Sequence, residues 1–273
     1  MPELPEVETT LRGIEPWLEG QVIESLEIRQ PKLRWPVDIA IEALRGQTIR
    51  SLRRRAKYIL VDTAAGTALW HLGMSGSLRL VSGDEPIGKH DHIDWQLSNG
   101  KILRYHDPRR FGALLWLPAG VDPETDSEHL SHLGPEPLSA TFDGDYLYQR
   151  SRKKTQAIKQ FIMDGKVVVG VGNIYANESL FMAGIRPTLA AGKVSRARYQ
   201  KLAVCIRLVL EQAIAQGGTT LKDFVGGDGQ PGYFAQELLV YGRGGEACVH
   251  CQSALKEIRQ GQRATVYCPA CQR

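Results

Sequence analysis

At 273 residues the chain can form two domains of ordinary size, and its 42% hydrophobic and 23% charged content is that of a soluble globular protein. No apolar run approaches the length of a bilayer span, and the acidic opening Met1-Pro2-Glu3-Leu4-Pro5-Glu6-Val7-Glu8 lacks the apolar stretch of an export signal. Membrane and secreted classes are therefore set aside, and the expected location is the cytoplasm. The net charge of +4 is modest, but its distribution is uneven. Arg50, Arg53, Arg54, Arg55 and Lys57 form one basic cluster, and Arg150, Arg152, Lys153, Lys154 and Lys159 form another. Such clusters suit a polyanionic partner, although a solvated basic face is the commoner meaning of any single run.

In chain order, Val7, Leu11, Ile14 and Leu18 recur at helical spacing after Pro5, and Gly20 ends the pattern. From Gln21 to about Leu117 the period shortens to two. The clearest hairpin joins 92–97 to 101–105 through Ser98-Asn99-Gly100. This half reads as a β-sandwich carrying one N-terminal helix. Gly134-Pro135-Glu136-Pro137 marks a boundary, and helices are expected over 155–164, 172–183 and 195–216. A Gly-rich stretch, 226–232, is too polar for a core and suits a binding loop or lid.

The most specific spacing lies at the end. Cys248-x2-Cys251 and Cys268-x2-Cys271, separated by sixteen residues, are the arrangement of a four-thiolate zinc site. The intervening 253–267 can form a β-hairpin. Four thiolates leave no open position, so one structural Zn2+ per chain is expected, with His250 as a candidate substitute ligand. The fifth cysteine, Cys205, lies in an apolar run and reads as a small buried side chain.

The N-terminus is the second constellation. A Met-Pro start normally loses its methionine, which would leave Pro2 as a secondary amine, partly unprotonated near neutral pH because an α-amino group titrates at about 7.7 to 8.0. Such an amine can attack an aldehyde-like sugar carbon and form an iminium. Glu3 and Glu6 are close enough to move protons or hold the amine. On spacing alone, prolines and glutamates at a terminus also simply start a helix.

The opening 1–9 closely resembles that of the formamidopyrimidine-DNA glycosylase family (Fpg, also called MutM). Further similar stretches follow in the family's order: 54–58 (Arg-Arg-Ala-Lys-Tyr), 71–76 (His-Leu-Gly-Met-Ser-Gly), 89–92 (Lys-His-Asp-His) and 107–112 (Asp-Pro-Arg-Arg-Phe-Gly). The remainder are 133–138, 171–175 (Val-Gly-Asn-Ile-Tyr), 216–220 and the four-cysteine finger. One would be weak; together and in order they leave little room for chance.

The resemblance implies an α+β multidomain fold: an N-terminal catalytic β-sandwich with an N-terminal helix (1–133), a helical helix-two-turn-helix domain with the lesion-recognition loop (134–242) and a β-hairpin zinc finger (243–273). It implies Pro2 as Schiff-base nucleophile, Glu3 as catalytic acid with Glu6 supporting, and Lys57 as a phosphate-contacting, elimination-assisting cation. Met74, Arg109 and Phe111 match the intercalating triad that fills the gap left by the extruded base, with Arg109 on the orphaned cytosine. Asn173 matches a backbone contact in the helical domain and Arg263 the finger arginine that clamps phosphate. His90 and Lys154 match further DNA-contacting positions, although Lys153 makes the register at Lys154 ambiguous. The segment from Thr219 to Tyr233 matches a lid over the base. The implied partner is damaged double-stranded DNA, bound by a monomer. Two alternatives carry weight: the sister endonuclease VIII type, acting on oxidised pyrimidines, and a zinc-dependent DNA-binding protein without catalysis. Leu4 and the Met74, Arg109, Phe111 set favour the purine enzyme over the first; Pro2-Glu3 with Lys57 argues against the second.

Overall fold

The computed structural model describes residues 2–217 and 238–273. The Gly-rich stretch and the lid from Thr219 to Tyr233 lie outside the described residues. Two compact units result. The first runs to Ser131; the second comprises His132 to Ala215 and the C-terminal residues 238–273. No helix among the described residues is long and apolar enough to cross a membrane.

The first unit opens with α1 (Leu4–Leu18), ended by Gly20 at φ 79°. Two four-stranded antiparallel sheets follow. One orders β1 (Ile23–Ile28), β6 (Asp91–Leu97), β7 (Lys101–His106) and β5 (Ser77–Ser82). The other orders β2 (Ser51–Arg55), β3 (Tyr58–Asp62), β4 (Gly66–His71) and β8 (Ala113–Pro118). Val7, Leu11, Ile14 and Leu18 of α1 join Trp70, Trp95, Leu103, Tyr105 and Leu114 in one core. The β6–β7 hairpin turns where the sequence places it: Gly100 has φ 79° and Asn99 Oδ1 accepts the Lys101 N–H at 3.0 Å.

The face of β6 turned away from that core is also buried. Asp94 lies opposite Arg104 and accepts its Nε–H and Nη2–H at 3.0 and 2.9 Å, with Arg29 Nη2 at 2.8 Å from the same carboxylate. Arg104 also donates to the carbonyls of Glu85 and Pro86.

The second unit holds α2 (Gly144–Ser151), α3 (Ile158–Ile162), α4 (Asn173–Ala183) and α5 (Arg196–Ala215), then the hairpin β9 (Lys256–Gln260) and β10 (Arg263–Tyr267). Helix α2 escapes the sequence reading; the Asp143 carboxylate caps it by accepting the Tyr146 N–H at 2.7 Å. The helix expected over 155–164 shortens to α3, because Ala157 is extended and bridges to Ala190. Cys205 is buried, as its apolar surroundings suggest.

Removing one member of a buried ion pair strands the other. Asp94→Ala should lower stability by about 3 kcal/mol, measured by urea unfolding of the full chain.

Candidate active site and metal centre

Pro2 is buried and leads directly into α1. Glu3 is the N-cap of that helix, and the buried Glu6 carboxylate accepts the Glu3 N–H at 2.7 Å in a capping box. The first residues are thereby held in one conformation. Lys57 sits in the two-residue turn between β2 and β3, where Ala56 takes φ 54°. Arg54 ties that turn to α1, donating to the Ala56 carbonyl and to Glu8 Oε2, both at 2.9 Å.

The basic run is therefore less bare than its sequence implies. Arg54 pairs with Glu8, Arg53 with Asp62 and Glu124, and Arg55 with Glu124. The second cluster is corrected likewise. Lys159 is buried, its Nζ donating to the Ala264 carbonyl at 2.9 Å and to Thr265 Oγ1 at 2.6 Å, and Arg152 stacks on Tyr148. Lys153 and Lys154 are exposed, with Lys153 at φ 63°.

Met74, Arg109 and Phe111 do come together. Met74 and Phe111 are exposed apolar side chains lining a groove of about 370 Å3 with Arg34, His71 and Gly73. The Arg109 guanidinium lies 5.0 Å over the Phe111 ring. Gly73, at φ 68°, lets the two loops touch: a Cβ there would lie 2.4 Å from the Phe111 carbonyl carbon and from Gly112 N. His90 neighbours His92 and His106, with ring centroids 6.4 and 5.9 Å away.

His71 is a groove residue that the sequence reading did not single out. Its ring packs on Tyr58 at 4.8 Å, and Nδ1 accepts the Gly73 N–H at 3.1 Å, which leaves the proton on Nε2. Burial, and then the charges of Lys57 and Arg34, push its pKa down to about 4.

In the second unit Asn173 begins α4 after the extended Gly172, placing it among the helix's first backbone amides. Its Oδ1 is buried with no hydrogen-bond partner among the described residues. Arg263 is exposed at the start of β10, beside a cleft of about 210 Å3 that it lines with Lys159, Gln160 and Gln260. Asn177 links the start of α4 to β10. Its Nδ2 donates to the Asn173 carbonyl at 2.6 Å, and its Oδ1 accepts the Val266 N–H at 2.8 Å. The buried Glu178 carboxylate accepts the N–H groups of Leu239, Val240 and Tyr241 at 2.8–2.9 Å. Neither Asn177 nor Glu178 could be singled out from spacing, because the partners that tie them to other elements lie some 60 to 90 residues away.

Cys248, Cys251, Cys268 and Cys271 hold their sulfurs within 4.8 Å of one another. The Cys248–Cys271 and Cys251–Cys268 sulfurs are 4.0 and 3.4 Å apart. Zinc with bonds of ~2.3 Å sets its sulfurs about 3.8 Å apart in a tetrahedron, so the cluster fits that ion. The Cys271 N–H also points at Cys268 Sγ, at 3.4 Å. His250 stacks on Phe181 and lies outside the cluster, so the substitute-ligand idea falls away. The zinc is structural: Cys248, Cys251, Cys268 and Cys271 would hold it with all four positions filled.

Two outcomes follow. A His71 held near 4 stays neutral in the folded state while the unfolded chain takes up a proton below about 6.5. Stability should fall by up to about 3 kcal/mol as pH drops from 6.5 to 4 and then stop changing on this account. His71→Asn should flatten that part of the profile in denaturant titrations. Chelation should release one zinc per chain and speed amide exchange across Lys256–Tyr267, leaving the β-sandwich amides protected.

Three family models match in succession: the formamidopyrimidine-DNA glycosylase N-terminal domain over residues 1–114, the H2TH domain of the same glycosylases over 133–225, and the zinc finger found in FPG and IleRS over 245–273. The formamidopyrimidine-DNA glycosylase of Alcanivorax borkumensis is 60% identical over the whole of both chains, and that of Pseudomonas aeruginosa 59%. A Lactococcus lactis FPG mutant in complex with DNA containing Fapy-dG superposes with a TM-score of 0.92 at 32% identity over both whole chains. The L. lactis Fpg in complex with DNA containing an abasic site gives 0.91 over 99% of each. With models that cover most of its length and full-length relatives at this identity, the chain belongs to the formamidopyrimidine-DNA glycosylase family.

Proposed function

We propose that this chain is a bifunctional DNA glycosylase and abasic-site lyase of base-excision repair, removing oxidised purines: 8-oxoguanine opposite cytosine, and formamidopyrimidines. The observation that carries the reading is the fixed start of α1, where the Glu6 carboxylate holds Glu3 at 2.7 Å and so presents Pro2 from a rigid helix end. Relatives named formamidopyrimidine-DNA glycosylase, and neighbours solved on Fapy-dG and abasic DNA, support the substrate class. Bacterial relatives support a cytoplasmic enzyme at the nucleoid, and a monomer is the state carried over from the family.

With Met1 removed, the Pro2 nitrogen attacks the sugar C1′ as the bond from C1′ to the damaged base breaks and the base leaves with the electron pair. Glu3 gives a proton to the ring oxygen, and the opened sugar holds Pro2 as an iminium. Loss of a C2′ proton into that electron sink expels the 3′ phosphate. A second elimination expels the 5′ phosphate, and hydrolysis of the iminium frees Pro2, leaving a one-nucleotide gap. Lys57 stabilises the departing phosphate. Met74 and Phe111 enter the stack behind the extruded nucleotide, and Arg109 hydrogen-bonds the orphaned cytosine. His90 and Lys154 contact the backbone. So do Asn173, at the start of α4, and Arg263, on the finger hairpin.

Borohydride added to the protein with a duplex carrying 8-oxoguanine opposite cytosine should give a covalent adduct on a denaturing gel. Peptide mapping should place it at Pro2, and Pro2→Gly should abolish it. Lesion-selective binding without an adduct would reduce the chain to a damage-binding protein. An adduct confined to oxidised pyrimidines would keep the chemistry and replace the substrate.

A further inference from the structure

We propose that Asp107 is a positioning residue for opposite-base recognition: its buried carboxylate clamps the loop of Met74 to the loop of Arg109 and Phe111. The inference rests on the reading of these three side chains as the element that enters the duplex.

Asp107 is wholly buried and accepts four hydrogen bonds. Oδ1 takes the Ser75 hydroxyl at 2.8 Å and the Arg109 N–H at 3.2 Å; Oδ2 takes the Tyr105 hydroxyl at 3.0 Å and the Gly112 N–H at 2.9 Å. Ser75 follows Met74 in one loop. Arg109 and Gly112 bracket Phe111 in the other. One carboxylate therefore holds the Ser75 side chain on one side of the groove and the backbone of Arg109 and Gly112 on the other. Its main chain extends the clamp: the Asp107 N–H donates to the His90 carbonyl at 3.0 Å, and its carbonyl accepts His92 Nε2–H at 2.8 Å. Neither loop has a regular ladder to hold it, and a carboxylate out of water is tolerated only while its donors stay in place. Burial and the adjoining carboxylate push the Tyr105 hydroxyl pKa up, so Tyr105 remains a donor. The Arg109 side chain, exposed on Phe111, inherits its aim from this frame.

Asp107→Asn keeps the size but turns one acceptor into an amide donor, facing either the Ser75 and Arg109 donors or Tyr105 and Gly112. The readout is the affinity ratio for duplexes with a tetrahydrofuran abasic analogue opposite cytosine and opposite adenine. The wild type should prefer cytosine. Asp107→Asn should cut that ratio by about tenfold, the loss of hydrogen bonds to a charged group, and should add nothing in an Arg109→Ala background. Ser75→Ala removes one donor across the loops and should give a partial loss, so the inference remains testable if Asp107→Asn folds poorly. A general structural role would weaken both duplexes equally and leave the ratio intact. A wild-type ratio in Asp107→Asn and Ser75→Ala, or a further drop on top of Arg109→Ala, would overturn the proposal alone. A wild type with no preference would overturn the reading of Arg109 and the proposal with it.

Discussion

A carboxylate removed from water must find donors, and among the described residues Glu6, Asp107 and Glu178 find backbone amides at points where irregular segments have to be held still. Glu6 takes the Glu3 N–H at the head of α1, Asp107 takes those of Arg109 and Gly112, and Glu178 takes three in succession at 239–241. Backbone amides are fixed to the chain and cannot turn away, so each carboxylate sets main-chain position rather than one rotamer. The residues assigned to chemistry and to the wedge hang from the first two of these clamps. Burial raises the Glu178 pKa and the three amides oppose that rise, so the third clamp is a balance between a desolvated group and its donors.

Much of this architecture was legible because it depends on neighbours in sequence. Helical spacing from Val7 to Leu18, the Asn99-Gly100 turn and the paired Cys-x-x-Cys units are local patterns, and each became the element its period or spacing required. That Met74, Arg109 and Phe111 belong together was suggested only by resemblance, since composition does not tell an exposed apolar side chain from a core one. What stayed hidden depends on distant partners. Lys159 looked like one more cation in a basic run, yet its amine is buried against residues more than a hundred positions away. Helix α2 lies in a polar stretch whose only strong mark is the Asp143 cap.

Charge was the least faithful guide. Arg53, Arg54 and Arg55 form a basic cluster in sequence, but the fold delivers Glu8, Asp62 and Glu124 to them. These pairs leave less of the run for a polyanion and put one member, Arg54, to work holding the Lys57 turn against α1. Polyanion recognition then depends less on the density of positive residues than on where single cations and helix-start amides stand.

The contact at Gly73 also has an evolutionary side. A single methyl group would collide with Phe111 and Gly112, while a Cβ on Gly112 would meet the Tyr105 hydroxyl and the His71 carbonyl. The two loops are thus mated surfaces with no clearance, and drift in one is vetoed by the other. A lineage that remodels this groove has to change both loops in concert, so if the proposed role in reading the opposing base holds, new specificity here would arrive through paired substitutions rather than single steps.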